Sequence, residues 1–311
     1  MSPRRLVTEA VPAAGRAAPV PDAAFLAACD RLRASPRFRP ALARYCRQMA
    51  EKPAVAWPIY KMFDQLDRYV LSFMLIHNYY AWRLEGGRAP TLTALQAIVP
   101  SSPRHTAGFV AALKAGQFVT VEHNPADGRE KWLRPAPAMV FEVGRSIGAF
   151  IACLDEIDGG SPARSRVLED ADALGGLLQR SAAFVLKNGT LIHAFPRVLH
   201  FAMRDCGYPL LAAVVGAHFP AAELQREAAD IRLSLRALAD RFQVSRAHIG
   251  NLLDEAERAG WFAVRDGRLA SFSEGLLAEF EEWACFEMVH FAEMFDLVPR
   301  IAGAPRGEPR A

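Results

Sequence analysis

The stretch SLRALADRFQVSRAHIGNLLDEAERAGWFAVRDGRL, residues 234–269, decides the fold of this chain. Leu235 and Leu238 place apolar groups on one face of a short helix. Ser245 is a residue type that favours the N-cap position, so a second helix is expected to begin at Arg246. The pattern therefore predicts two short helices joined by a tight turn.

A two-stranded hairpin is expected after the second helix. Gly260 stands where a helix commonly ends in a left-handed residue. Beyond it, residues 261–265 and 268–271 flank the dipeptide Asp266-Gly267, which suits a two-residue hairpin whose central residues have positive φ. The stretch thus predicts a helix-turn-helix followed by a short β-wing.

A weaker copy, TLTALQAIVPSSPRHTAGFVAALKAGQFVTVEHNPADGREKWL, spans residues 91–133. The copies align without a gap through the turn, where Ser102 pairs with the N-cap Ser245. One residue is then expected to be missing near the end of the next helix, so that Gly116 pairs with Gly260. The chain is therefore predicted to hold two units of one fold.

The first copy has the longer wing, with strands expected at residues 118–122 and 129–133. Its D-x-R pattern, Asp127 to Arg129, follows a helix placed like a recognition helix and resembles the wing of the MarR family of bacterial regulators. The second copy keeps an aspartate and an arginine, Asp266 and Arg268, on a shorter hairpin.

This resemblance implies a winged helix-turn-helix fold and a bacterial DNA-binding protein. MarR-like proteins are homodimers whose terminal helices pair, and each subunit offers one winged unit to DNA. Here both units stand in one chain, so the long helices are expected to form an internal pseudo-dimer interface. The fold class predicted is mainly α with small β-wings, with two winged helix-turn-helix units on a helical pseudo-dimer core.

The order of elements predicts two halves. The first half covers residues 22–157 with a first unit at about 88–134, and the second half covers 163–297 with a second unit at about 231–271. A break rich in glycine, residues 158–162, separates them. Residues 1–21 and 298–311 lack an apolar period and are expected to be disordered tails.

Apolar periodicity predicts further helices outside the two units. They are expected at residues 59–85, 135–157, 163–186, 191–204, 208–219, within 220–232, and at 272–295.

Composition excludes several classes of protein. With 311 residues, 51% hydrophobic and 23% charged, the chain is not disordered, and its net charge of +3 is too small for a non-specific nucleic-acid coat. The longest apolar runs are far shorter than the roughly 20 residues that span a bilayer, and no export signal is apparent, so a cytoplasmic location without a membrane is expected.

Chemistry-bearing motifs are sparse. The five cysteines form no C-x-x-C pair, and the spacing of the histidines matches no zinc pattern. No nucleophile elbow, phosphate-binding loop or dinucleotide fingerprint is present, so the protein is predicted not to be an enzyme and to need no cofactor.

Double-stranded DNA is the expected partner. The N-terminal part of each recognition helix would enter the major groove, where arginine reads guanine and asparagine reads adenine, and the wings would reach the backbone or the minor groove. The candidate DNA-binding residues of the first unit are Ser102, Arg104, His105, Asp127, Arg129 and Lys131. Those of the second unit are Ser245, Arg246, His248, Asn251, Arg265 and Arg268.

Three functions stay open at this point. The first is a transcriptional regulator, with a homodimer as one expected assembly. The second is a winged-helix protein-interaction scaffold, of the kind used in chromosome segregation, that does not read bases. The third is a replication initiator, against which the weak overall basicity argues.

A small aromatic effector is a further partner that the MarR resemblance implies. Tyr60, Tyr79, Tyr80 and Trp82 lie in the long helix expected at residues 59–85. Packing in the core is their expected role, and lining an effector pocket is the alternative.

Overall fold

The computed structural model describes residues 19–51, 59–159, 162–219 and 232–297. The described chain is mainly helical with two small antiparallel sheets, which confirms the predicted class at this level. The expectations for residues 1–18, 220–231 and 298–311 lie outside the described residues. Within the described part, no single helix has the length and apolarity to cross a membrane; the pair Pro137–Val143 and Arg145–Ile157, bent by 60°, passes only when both are taken together.

The first half contains seven helices and one hairpin among its described residues. In chain order these elements are α1 (Ala23–Ala34), α2 (Phe38–Ala50), α3 (Leu66–Glu85), α4 (Leu92–Gln96), α5 (Pro103–Ala115), β1 (Val119–His123), β2 (Lys131–Pro135), α6 (Pro137–Val143) and α7 (Arg145–Ile157).

The second half has a similar order of elements within its described residues. They are α8 (Ala163–Val167), α9 (Ala171–Asn188), α10 (Pro196–Ala202), α11 (Gly207–His218), α12 (Leu235–Phe242), α13 (Arg246–Arg258), β3 (Phe262–Arg265), β4 (Arg268–Phe272) and α14 (Glu274–Asp296).

Two long helices predicted from periodicity are broken. The helix expected from residue 59 begins at Leu66, after a short 3-10 turn at Ile59–Met62. The helix expected over residues 135–157 is divided at Gly144, where an added Cβ would lie 2.6 Å from Leu174 Cδ2. The apolar period continues through both breaks, so the pattern alone does not reveal them. At Gly144 the chain bends where Leu174 of the second half approaches it closely.

Two predicted helices of the second half are also divided. The helix expected over residues 163–186 consists of α8 and α9, and Asp170 begins the second part by accepting hydrogen bonds from the N–H groups of Asp172 and Ala173. The helix expected over residues 191–204 consists of a 3-10 turn at Leu191–Ala194 followed by α10. Pro196 at the first position of α10 explains that break, since proline cannot continue a preceding helical turn.

The two halves pack against each other in a reciprocal way. Helix α2 of the first half packs on α11 of the second, and α9 of the second half packs on α3 of the first. Helices α7 and α14 contact each other, while α1 lies against α14 and α8 against α7. The buried residues form a single hydrophobic cluster that spans both halves. The helices therefore join the halves into one core.

The contact between α3 and α9 depends on a glycine. The ring of Tyr80 on α3 covers Gly175 on α9, where an added Cβ would lie 2.0 Å from the ring carbon Cζ. The Tyr80 hydroxyl donates to the backbone oxygen of Ala171 at 3.1 Å or to Asp172 Oδ1 at 3.0 Å. These contacts anchor the end of α3 nearest the first unit to the second half.

Candidate nucleic-acid interface

Each unit begins with two helices that are capped in the same way. The Thr91 and Ser234 hydroxyls cap α4 and α12 by accepting from the backbone N–H three residues later. Ser102 Oγ accepts from the N–H of His105 at 3.3 Å, and Ser245 Oγ accepts from the N–H of His248 at 3.1 Å. Serine side chains satisfy helix N–H groups in this position, so both predicted N-caps are confirmed.

The ends of α5 and α13 also correspond, but not at the residues that the sequence comparison paired. Positive φ values occur at Gln117 (62°) and at Gly260 (68°). The N–H of Phe118 donates to the Leu113 oxygen at 2.9 Å, and the N–H of Trp261 donates to the Ala256 oxygen at 2.9 Å.

Gln117 is therefore the structural counterpart of Gly260, and the expected gap near the end of the helix was wrong. Gly116 and Gly260 match by residue type, but the left-handed position of the first copy is occupied by Gln117. Without the gap, the two copies keep one constant offset from their first cap to their hairpins.

A hairpin follows each pair of helices. Strands β1 and β2 pair in register from Val119 with Pro135 to His123 with Lys131. Strands β3 and β4 are joined through Asp266 and Gly267, whose φ values are 52° and 73°, as the dipeptide predicted.

The outer face of α5 is cationic and has small side chains. Arg104, His105 and Lys114 are exposed, and none of them forms an ion pair with another described residue. The helix contains no carboxylate, and its exposed surface is otherwise formed by Gly108 and by alanines. Such a face combines positive charge with space for the helix backbone to approach a partner closely.

The outer face of α13 is less open. Arg246 and Asn251 are exposed, but His248 is half-buried and its Nε2 lies 2.8 Å from the backbone oxygen of Asp205. Seven residues further on, Glu255 lies 3.3 Å from Arg204 Nη2 and 3.3 Å from His200 Nε2. One side of α13 therefore contacts α10 and the loop that follows α10.

The first wing presents its basic residues to solvent. The side chain of Arg129 is 95% exposed. Asp127 Oδ1 accepts from the Arg129 backbone N–H at 3.1 Å and lies 3.3 Å from its Nε, so the aspartate shapes the turn that carries the arginine. Lys131 is also exposed and has no ion-pair partner among the described residues.

The second wing carries less available charge. Arg265 forms a bidentate pair with Glu257 of α13, in which Nη1 lies 2.9 Å from Oε2. Hydrogen bonding to Arg265 lowers the pKa of the Glu257 carboxyl and raises the pKa of the Arg265 guanidinium. Arg268 is exposed and pairs with no carboxylate of the described chain. The second hairpin thus offers one unpaired arginine.

The aromatic residues that were alternatives for an effector pocket pack against neighbouring rings. Tyr79 and Tyr80 are buried and form an edge-to-face pair with ring centroids 5.2 Å apart. Trp82 lies 4.8 Å from Trp132 of β2 and thereby joins α3 to the first hairpin. The Tyr60 side chain lies outside the described residues.

Two features of the structure were not predicted from the sequence. His123 of β1 is exposed on the first wing, and its Nδ1 lies 2.9 Å from the Gly128 oxygen. Its place in an alternating strand is the signal that could have marked it. The second feature is a cavity between the halves, whose residues come from distant parts of the chain.

The described residues hold no group of three His, Cys, Asp or Glu side chains arranged to bind a metal ion.

Comparison with protein-family models, with curated proteins and with solved structures found no match to this chain. The first unit has an unpaired basic face on α5 and an exposed basic wing, and the second unit has the same frame with fewer free charges.

Proposed function

We propose that the chain is a DNA-binding regulator of transcription that carries two winged helix-turn-helix units on a helical core. The observation that carries this proposal is the outer face of α5, where Arg104, His105 and Lys114 are exposed without a neighbouring carboxylate on the helix. A face of this kind suits the polyanionic major groove, which admits an α-helix and presents acceptors that arginine reads.

The shape of α5 supports the same partner. Gly108, Ala111 and Ala112 are exposed beside Arg104, so no bulky side chain holds the helix away from the floor of a groove. Alanine also makes apolar contact with the thymine methyl group. In the proposal, Arg104 and His105 read base edges, and Ser102 orients the first turn of the helix.

The first wing extends this surface. Arg129 and Lys131 are exposed on a hairpin that follows α5 directly, and Asp127 fixes the turn next to Arg129. In the proposal, Arg129 contacts phosphate or enters the minor groove, where arginine is attracted by the negative potential. Lys131 contacts phosphate.

The second unit has a smaller part in the proposal. Arg246, Asn251 and Arg268 remain as candidate DNA contacts because their side chains are exposed. His248 and Arg265 are engaged by Asp205 and Glu257 within the protein. We therefore assign the stronger grip on DNA to the first unit.

A protein-interaction scaffold is the second candidate, and the outer face of α13 favours it. Asp254 is exposed there beside Asn251, and a carboxylate on a recognition face opposes binding to phosphates. Under this alternative, α13 contacts a protein partner and α5 carries no base-specific function.

Selection from a pool of random double-stranded DNA separates the two candidates. A regulator enriches one sequence motif, and Arg104→Ala relaxes the base preference at one position of it. The matched control is Arg166→Ala on α8, an exposed arginine outside both units. If the wild-type protein enriches no motif at low salt, the proposal is wrong and the scaffold is favoured.

A further inference from the structure

A cavity of about 190 Å³ lies between the two halves. Its wall is formed by residues of α3, α6 and α7 from the first half and of α9, α11 and α14 from the second. An engineered protein cavity of about 150 Å³ is large enough to hold benzene. The cavity between the halves therefore has room for a small organic molecule built on one aromatic ring.

Aromatic rings form much of the cavity wall. They include Tyr69, Phe73, Phe184, Tyr208, Trp283 and Phe291. The face of an aromatic ring carries negative electrostatic potential, so a cation placed within about 6 Å of it is attracted. The wall can therefore contact both an apolar group and a positively charged group of a ligand.

In the described part of the wall, the charged groups without an ion-pair partner are acidic. Among the described lining residues Arg145 is the one arginine or lysine, and its Nε lies 3.7 Å from Glu142 Oε1. Asp64 and Glu287 also line the cavity, and neither forms a hydrogen bond or an ion pair with a described residue, although the charges of Arg145 and Arg68 act on Asp64 from farther away. The indole N–H of Trp283 faces the Glu287 carboxyl without completing such a bond.

Asp64 and Glu287 are half-buried and enclosed by the cavity wall, and the charge of Arg145 only partly offsets the desolvation of Asp64. Desolvation raises the pKa of Glu287 to about 7, and desolvation raises the pKa of Asp64 to about 7 as well. His290 does not supply the missing positive charge, since burial lowers its pKa to about 4 and its Nε2 lies 2.8 Å from Ser181 Oγ. A buried carboxylate without a partner is costly, and a ligand that brings a cation removes that cost.

We infer that this cavity is a binding site for a small hydrophobic organic cation, an amine or quaternary ammonium attached to an aromatic or aliphatic body. The ammonium group lies against Glu287 and the surrounding ring faces, and the apolar body fills the space between α3 and α9. This inference goes beyond the proposed function, because it holds whether or not the protein binds DNA.

The contact between Ser181 and His290 does not make the cavity a hydrolytic site. Ser181 lies in the interior of α9, where backbone N–H groups are used by the helix itself. They are therefore not free to stabilise an oxyanion, which acyl transfer requires. The pair is better explained as mutual satisfaction of two buried polar side chains.

Calorimetric titration with three probes of similar size tests the inference. Phenyltrimethylammonium is the cation, tert-butylbenzene is its neutral isostere, and benzoate is the anion. The wild-type protein is expected to bind the cation at least tenfold more tightly than tert-butylbenzene and to show no binding of benzoate. Equal affinity for the cation and the neutral isostere, a preference for benzoate, or no binding of any probe would each overturn the inference.

Two variants test whether the preference for the cation arises from Glu287 in the cavity wall. Glu287→Gln is expected to weaken binding of the cation at least tenfold and to leave binding of tert-butylbenzene within twofold, which also shows that the variant is folded. Glu282→Gln, on the same helix but outside the cavity wall, is the control and should match the wild type. If Glu287→Gln does not fold, Glu287→Met, which removes the same carboxyl and has a similar volume, serves in its place. Retention of the cation preference in the variant that folds would contradict the inference.

Discussion

The Nε2 atom of His248 lies 2.8 Å from the backbone oxygen of Asp205, whereas His105, at the matching position of the first unit, is exposed. Two histidines that are equivalent in the repeat therefore have different surroundings. His248 attaches α13 to the loop between α10 and α11, and His105 remains available to a partner. The two units therefore share the same order of helices and strands but have different outer faces.

Replacing the two histidines should separate stability from DNA binding. His248→Ala removes a hydrogen bond and is expected to lower the free energy of unfolding by about 1 kcal/mol. His105→Ala changes an exposed side chain and should alter that free energy by less than about 0.5 kcal/mol. Urea denaturation measures both effects. Equal destabilisation by the two variants would contradict the difference between the two faces.

The close contact of α3 with α9 gives a second prediction. Gly175→Ala is expected to destabilise the protein by about 1 to 3 kcal/mol, since the new Cβ would lie 2.0 Å from the Tyr80 ring. Gly176→Ala is the matched control, because its Cβ would meet only ordinary contacts, 3.5 Å from Arg180 and 3.6 Å from Leu84. Alanine also favours a helix by up to about 1 kcal/mol over glycine, so this control should be neutral or stabilising. Denaturation midpoints that fall equally in both variants would show that the contact with the Tyr80 ring is not what requires glycine at position 175.

The carboxyl of Glu287 predicts a pH dependence of stability. Its pKa in the folded protein is about 7, above the value of about 4.3 in an unfolded chain. Between these values the folded state holds more protons than the unfolded state, so this group's contribution to stability falls as the pH rises. The ionisable groups that share the cavity are Asp64, Tyr69, Glu142, Arg145, Tyr208 and His290.

A comparison with Glu287→Gln isolates this contribution from the other groups. At pH 5 the variant and the wild type should have similar free energies of unfolding. At pH 8 the variant should be more stable by about 2 kcal/mol, because glutamine does not ionise in the buried site. Urea denaturation at both pH values gives the difference. The prediction is contradicted if the stability of the variant, relative to the wild type, falls between pH 5 and pH 8. That result would show that the Glu287 carboxylate has a stabilising partner.

The two wings should differ in their effect on DNA affinity. The Arg129 side chain is 95% exposed and, among the described residues, pairs only with Asp127 of its own turn, so Arg129→Ala is expected to weaken binding at physiological salt and to reduce the slope of log K against log salt by about 1. Arg265 is already paired with Glu257, so Arg265→Ala should leave that slope nearly unchanged. Fluorescence anisotropy with one labelled duplex measures both slopes. A larger loss from Arg265→Ala would reverse the assignment of the stronger unit.

The sequence was most informative where local chemistry decides structure. The serine caps, the break at Gly86 and the turn at Asp266-Gly267 were all predictable, because each depends on residues a few positions apart. The chain could therefore be divided into its repeated units before any tertiary contact was known.

Tertiary contacts decided the rest. The break at Gly144 lies where Leu174 of the other half approaches closely, a contact that no local pattern predicts. The left-handed residue after α5 is Gln117, and glutamine is not a residue type that predicts this conformation. Asp64 and Glu287 lie in opposite halves, and the fold places both on the wall of one cavity. No local pattern could place them on one cavity wall. The same holds for His248, whose partner is a backbone oxygen of a distant loop.

Sequence-specific DNA binding through α5 can be measured with a duplex recovered by selection, using fluorescence anisotropy over a range of salt concentrations. We predict that the wild-type protein binds this duplex much more tightly than a scrambled duplex, that affinity falls steeply with salt, and that Arg104→Ala lowers the preference by about tenfold. Equal affinity for the two duplexes at every salt concentration, unchanged by Arg104→Ala, would contradict the assignment of α5 as a helix that reads DNA.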